Sequence, residues 1–113
     1  MIYKKILVTG SSGVLGSALK ETAKNYSGRD FTFLISQDCD LTDTNKTLNI
    51  VKSTKPDAIL HLAAVSGGIG LGMKHQASLL RDNMLMTINV LEVARKCKIR
   101  KSILLFNCNR FGI

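Results

Sequence analysis

Four short apolar runs punctuate the chain, at 5–9, 31–36, 58–63 and 102–106, and stretches with helical spacing separate them. The runs predict strands. Because they are almost continuously apolar rather than alternating, both faces of each strand should be covered, which is the mark of a parallel sheet. In the first interval Leu15, Ala18, Leu19, Thr22, Ala23 and Tyr26 recur at helical spacing, with Gly28 placed to terminate the helix. A second helix is expected over 44–54, with Asp43 as its N-cap, and it must stop before Pro56 because Lys55 is pushed out of the α region. A third should run from about Ala77 to Lys98 with two apolar stripes, Leu80, Met84, Ile88 and Leu91 on one side and Leu79, Met86, Val90, Ala94 and Cys97 around the other. One stripe can face the sheet. The other needs a different partner, either a second copy of the chain, giving a homodimer through the 77–98 helix, or further core.

Strand and helix in alternation imply an α/β fold of three layers, helices on both sides of a parallel sheet of about four strands. Right-handed crossovers suggest the order 3-2-1-4, half of a doubly wound Rossmann-type sheet, within one domain spanning 1–113. On that expectation the strand Ile103-Leu104-Leu105-Phe106 is an apolar edge. The chain is then expected to be a truncated piece, or to be covered by another chain.

The first apolar run leads directly into Thr9-Gly10-Ser11-Ser12-Gly13-Val14-Leu15-Gly16 and then into the first helix. A strand that turns sharply into a helix, with glycines where side chains would obstruct, is the form of a dinucleotide phosphate loop. The spacing is G-x-x-G-x-x-G. A second glycine-rich stretch, Gly67-Gly68-Ile69-Gly70-Leu71-Gly72, follows the third run and should border the same site, since ligands of open α/β sheets lie beyond the carboxyl ends of the strands.

Composition narrows the class. The 113 residues are 45% apolar, enough for a compact core, and no run is long enough to cross a membrane. The N-terminus carries no signal-peptide pattern, so a cytoplasmic location is expected. Cys39, Cys97 and Cys108 form no C-x-x-C and suit reduced thiols. A net charge of +8 favours anionic partners, but the dense cluster 95–101 falls at a helix end, where cations complement the dipole, and no aromatic residues interleave with it to stack bases. Neither nucleic acid nor a membrane is expected as a partner. His61 and His75 stand apart and imply no metal site.

Four further segments, Asp38-Cys39-Asp40-Leu41-Thr42-Asp43, Pro56-Asp57-Ala58-Ile59-Leu60-His61-Leu62-Ala63-Ala64, Val65-Ser66-Gly67-Gly68-Ile69 and Asp82-Asn83-Met84-Leu85-Met86-Thr87-Ile88-Asn89-Val90-Leu91, join the glycine turn. Together they resemble the extended short-chain dehydrogenase/reductases, and within them the GDP-L-fucose synthases, over essentially the whole chain. The resemblance implies that Gly10, Ser11, Ser12, Gly13, Val14, Leu15 and Gly16 hold the cofactor pyrophosphate. It also implies that Asp40 and Leu41 meet the adenine, and that Leu62, Ala63 and Ala64 let the ribose and phosphates pass. His61 corresponds to a buried structural histidine.

The activity that the resemblance implies is 3,5-epimerisation of GDP-4-keto-6-deoxymannose followed by NADPH-dependent reduction of the 4-ketone. Such a reduction needs a proton donor, in this family a tyrosine paired with lysine in Y-x-x-x-K and oriented by a serine or threonine. Asn107 occupies the serine position, and an amide can donate a hydrogen bond but cannot relay a proton as a hydroxyl does. Tyr3 and Tyr26 are not followed by lysine at the required spacing. At the cofactor-selecting end of the second strand, Ser36 is neutral where an acidic residue would select NAD, so NADP is expected, with NAD possible. The expected function is the NADP-binding portion of a GDP-L-fucose synthase-like enzyme acting on a nucleotide sugar. The alternatives are a non-catalytic nucleotide-binding remnant and another extended short-chain nucleotide-sugar epimerase or dehydratase.

Overall fold

In a computed structural model, residues 3–11, 13–26, 28–35, 37–62 and 73–104 are described, without side-chain detail for Val14 and 73–76. Among the described residues four strands, β1 (Lys5–Thr9), β2 (Asp30–Phe33), β3 (Ala58–His61) and β4 (Lys101–Leu104), alternate with three helices, α1 (Val14–Ala23), α2 (Thr44–Thr54) and α3 (Met73–Lys96). All strand pairs are parallel. This is the expected Rossmann-type α/β class.

The neighbour relations differ from expectation. The sheet runs β2-β1-β3-β4 rather than 3-2-1-4, so β3 lies beside β1 and β2 is an edge. The right-handed rule constrains the hand of a crossover but not the side of the sheet to which the chain returns. Burial decides that side: Ala58, Ile59 and His61 are buried along β3, whereas no residue of β2 is, so the more apolar strand takes the interior place. Asp57 fastens the choice locally, its Oδ2 accepting the amides of Lys4 and Lys5 at 3.0 Å each. Those two hydrogen bonds hold its carboxyl below the usual carboxylate range.

In-register neighbours share a face. Leu7 and Ile59 pack with Leu34, Leu41, Val51, Met86, Val90, Val93 and Ala94 to form the core under α2 and α3. On the opposite face Phe33, Val8, Leu60 and Ile103 form a row across the sheet, and α1 covers it at the Phe33 end, where Lys20 Nζ stands 5.5 Å from the ring centre. Towards β4 that row opens, and Ile103 is 51% exposed.

Helix boundaries follow local chemistry. Asp43 caps α2 as expected, accepting from the Lys46 amide at 3.1 Å, and Lys55 closes it in the left-handed region at φ 48°. α1 ends at Ala23, earlier than expected, and leaves Tyr26 outside the helix and half exposed. α3 begins four residues before the expected start.

Candidate functional site

Three strand ends converge on the glycine turn. Gly10 leaves β1 with φ 70°, a left-handed conformation that a side chain disfavours. Ser11 then turns inward. Its amide donates to Leu34 O at 2.9 Å and its hydroxyl to Val8 O at 3.2 Å, tying the turn to the end of β2 and to β1. Both donors of Ser11 are thus engaged within the chain, and it shapes the turn.

The other two glycines serve different ends. A Cβ on Gly16 would stand 2.5 Å from both Gly10 O and Ser11 Cα, so helix and turn can approach only because it is absent. A Cβ on Gly13 would meet nothing closer than Gly10 O at 3.6 Å, ordinary contact, and its φ of −78° suits any residue. Nothing in the packing of the described residues requires glycine at 13. Gly13 is also the N-cap of α1, makes no side-chain cap, and no acidic residue sits in the first turn. Among the described residues no side chain caps this end, so the positive end of the helix dipole is open to an anion. Leu15, 54% exposed, stands beside this end.

At the ends of β1 and β3, Thr9 and His61 are register partners, each 1% exposed. Thr9 Oγ1 lies 2.8 Å from His61 Nδ1 and accepts from the Leu62 amide at 3.1 Å, which fixes the backbone of Leu62 as it leaves the sheet. Burial holds His61 at about pKa 4, and its Nε2 has no partner among the described residues. The imidazole is a neutral structural group, as expected.

The segment after β2 forms a hydrogen-bonded loop. Asp40 Oδ1 accepts the amide and hydroxyl of Thr42 at 3.0 and 2.6 Å, which pulls its pKa down and leaves an exposed, ionised carboxylate. Leu41 is 7% exposed, with its side chain in the core, so any contact it makes beyond the chain comes from its backbone. Asn89, which sequence reasoning included in a motif without a role, joins this loop to α3. Its Nδ2 donates to Leu41 O at 2.9 Å, and its Oδ1 accepts from Thr44 Oγ1 at 3.0 Å. A signal existed: a polar residue interrupts the apolar stripe between Met86 and Val90.

Ser12, Ser36, Ala63, Ala64, Asn107 and the 67–72 stretch lie outside the described residues, as does the side chain of Val14. Two shallow hollows, of about 360 Å³ by Cys39, Lys46 and Asn49 and about 420 Å³ by Lys55, Asp57 and Lys98, do not touch the glycine turn. Tyr3 and Tyr26 precede β1 and β2 and so sit at the amino ends of the strands, away from the turn.

Comparison with known proteins places the chain in a family. Residues 6–109 match the NAD dependent epimerase/dehydratase family. A probable GDP-L-fucose synthase of Drosophila melanogaster is 39% identical over 95 residues, covering 82% of this chain and 30% of that protein. The GDP-L-fucose synthase of Dictyostelium discoideum is 31% identical over 102 residues, 88% of this chain and 32% of its own length. Among solved structures, a GDP-L-fucose synthetase from Naegleria fowleri bound to NADP superimposes with a TM-score of 0.76 at 29% identity, over 89% of this chain and 30% of that one. The chain thus spans about a third of the length of these curated relatives.

Proposed function

The chain belongs to the NAD dependent epimerase/dehydratase family, and from that premise we propose that residues 1–113 form an NADP-binding Rossmann domain of a nucleotide-sugar epimerase/reductase of the GDP-L-fucose synthase type. The observation that carries this reading is Gly13. Among the described residues nothing explains its missing Cβ, and it sits at a helix N-terminus without a side-chain cap, where a pyrophosphate would need the room. Gly10, Ser12, Gly13, Val14, Leu15 and Gly16 would surround the diphosphate, with Ser11 bracing the turn. Asp40 would accept from the adenine amine while the Leu41 amide donates to the ring, and Leu62, Ala63 and Ala64 would line the path of the ribose. The +8 charge and the neutral Ser36 favour NADP over NAD.

When bound, NADPH supplies the hydride for a ketone. These residues would bind and orient it; the proton for the developing alkoxide needs a donor that neither Tyr3 nor Tyr26 is placed to be. GDP-4-keto-6-deoxymannose is the substrate this reading assigns to the enzyme, on the strength of the motifs that resemble the GDP-L-fucose synthases. A second reading, carried over from the sequence, is a nucleotide-binding module without turnover. Oxidation of NADPH on addition of the keto sugar nucleotide would eliminate that reading.

Calorimetric titration of NADPH into the wild-type chain and into Gly13→Val tests the central claim. The wild type is expected to bind and the variant to lose at least tenfold in affinity, a difference of about 1.4 kcal/mol. Equal binding by the two would refute the placement. Gly13→Ala should cost less than about 1 kcal/mol of stability, whereas Gly16→Ala, which forces a Cβ against backbone, should cost about 3 kcal/mol or more. Urea unfolding measures both.

A further inference from the structure

Asn89 is 5% exposed, and its carboxamide is a polar tie between α3 and the segment that follows β2. Leu41 O can only accept, so the Nδ2 group must face it, and the Thr44 hydroxyl must then donate to Oδ1. One side chain thus grips a carbonyl on one side of Thr42 and Asp43 and a hydroxyl on the other. Between these anchors the loop is closed by its own bonds, Asp40 Oδ1 with Thr42 and the Asp43 amide with Asp40 O at 3.0 Å. Rotation of the segment as a unit is what these internal bonds leave open. The α2 cap, in which Asp43 Oδ1 accepts the Lys46 amide at 3.1 Å and Thr47 Oγ1 donates to Asp43 O at 2.9 Å and Leu41 O at 3.4 Å, opposes it from one side; the Leu41 side chain in the core and the attachment to α3 oppose it from the other.

We propose that Asn89 is a positioning residue: by holding Leu41 and Thr44 it fixes the direction in which the Asp40 carboxylate and the Leu41 amide face, and so sets the preference of this site for adenine over other bases. The proposal rests on the reading of this loop as the adenine site. An ionised carboxylate accepts and an amide N–H donates, which matches the amine and the neighbouring ring nitrogen of adenine. Hypoxanthine presents the reverse pattern, a carbonyl and a protonated nitrogen. Discrimination of this kind depends on direction, because a donor or acceptor turned away loses its angle before it loses its distance. Asn89 itself touches no ligand.

The test compares reduced NADP with reduced nicotinamide hypoxanthine dinucleotide phosphate, titrated into the 113-residue wild type, Asn89→Ala, Asn89→Asp and Thr44→Val, with circular dichroism as a check on folding. The wild type is expected to prefer the adenine dinucleotide. Asn89→Ala should weaken its binding about tenfold while leaving the hypoxanthine dinucleotide within about twofold, so that the preference collapses. Asn89→Asp keeps an acceptor for Thr44 but has no donor for Leu41 O, and should resemble the alanine variant. Thr44→Val removes the other anchor and should give an intermediate loss.

Folded Asn89 variants with the wild-type preference would overturn the proposal, as would an equal loss for both dinucleotides, which marks a general structural defect. If the Asn89 variants do not fold, an unchanged preference in Thr44→Val overturns it. A wild type that binds NADPH but shows no preference refutes the adenine reading of the loop and the proposal with it; failure to bind NADPH at all refutes the cofactor site as a whole.

Discussion

At the residue scale, a histidine buried without charge makes the fold sensitive to acid. His61 bonds Thr9 through one ring nitrogen, is 1% exposed, and is held at about pKa 4 against the ordinary 6.5. Because the folded value lies below the unfolded one, the unfolded chain takes up the proton first. Stability from this source is complete above about pH 6.5 and is lost as the pH falls towards 4, with roughly 2 kcal/mol gone by pH 5. Urea unfolding at pH 7 and pH 5 should show that difference in the wild type and a flatter dependence in His61→Gln. An equally steep loss in the variant would assign the effect to other groups. The glycines teach a related lesson. Their positions were legible in the chain, but their separate reasons were not: a left-handed turn at Gly10, a backbone contact at Gly16 and open space at Gly13 look alike as letters.

Among the elements, α3 carries an unanswered apolar surface. Its inner stripe, Met86, Val90, Val93 and Ala94, is buried against the sheet and α2, while Leu80, Met84, Leu85, Ile88 and Leu91 are between 37% and 57% exposed on the outside. A stripe of that length on one helix is apolar surface seeking a partner. A second copy of the chain, meeting it helix to helix, is the partner we propose. Sedimentation velocity at micromolar concentration should show a dimer in the wild type and a monomer in Ile88→Glu; a monomer in both would leave the stripe to the chain's own further core. The two stripes were readable from spacing alone. Which of them faced inward was not, because helical periodicity is the same for a sheet and for a partner.

For the whole molecule, coverage of the sheet is lopsided. Two helices bury one face around Leu7 and Ile59, while α1 shields the other mainly near Phe33, so that the row Val8, Leu60, Ile103 opens to water at β4. Replacing Ile103 with lysine should raise the concentration at which the 113-residue chain begins to scatter light, with NADPH affinity within about twofold, since β4 is the sheet edge away from α1 and the Asp40 loop. No gain in solubility would show that the open row does not drive association. Among the described residues, no helix is long and apolar enough to cross a membrane. The amino-acid sequence alone determined the elements, the class of fold and the glycine turn, because strand burial, helix capping and the turn are written in residues within a few positions of one another. Only the tertiary structure decided that β3 sits beside β1, that Asp57 fastens that pairing and that Asn89 reaches Leu41 and Thr44. Those contacts join residues 45 to 53 positions apart, and no local pattern specifies which distant groups meet.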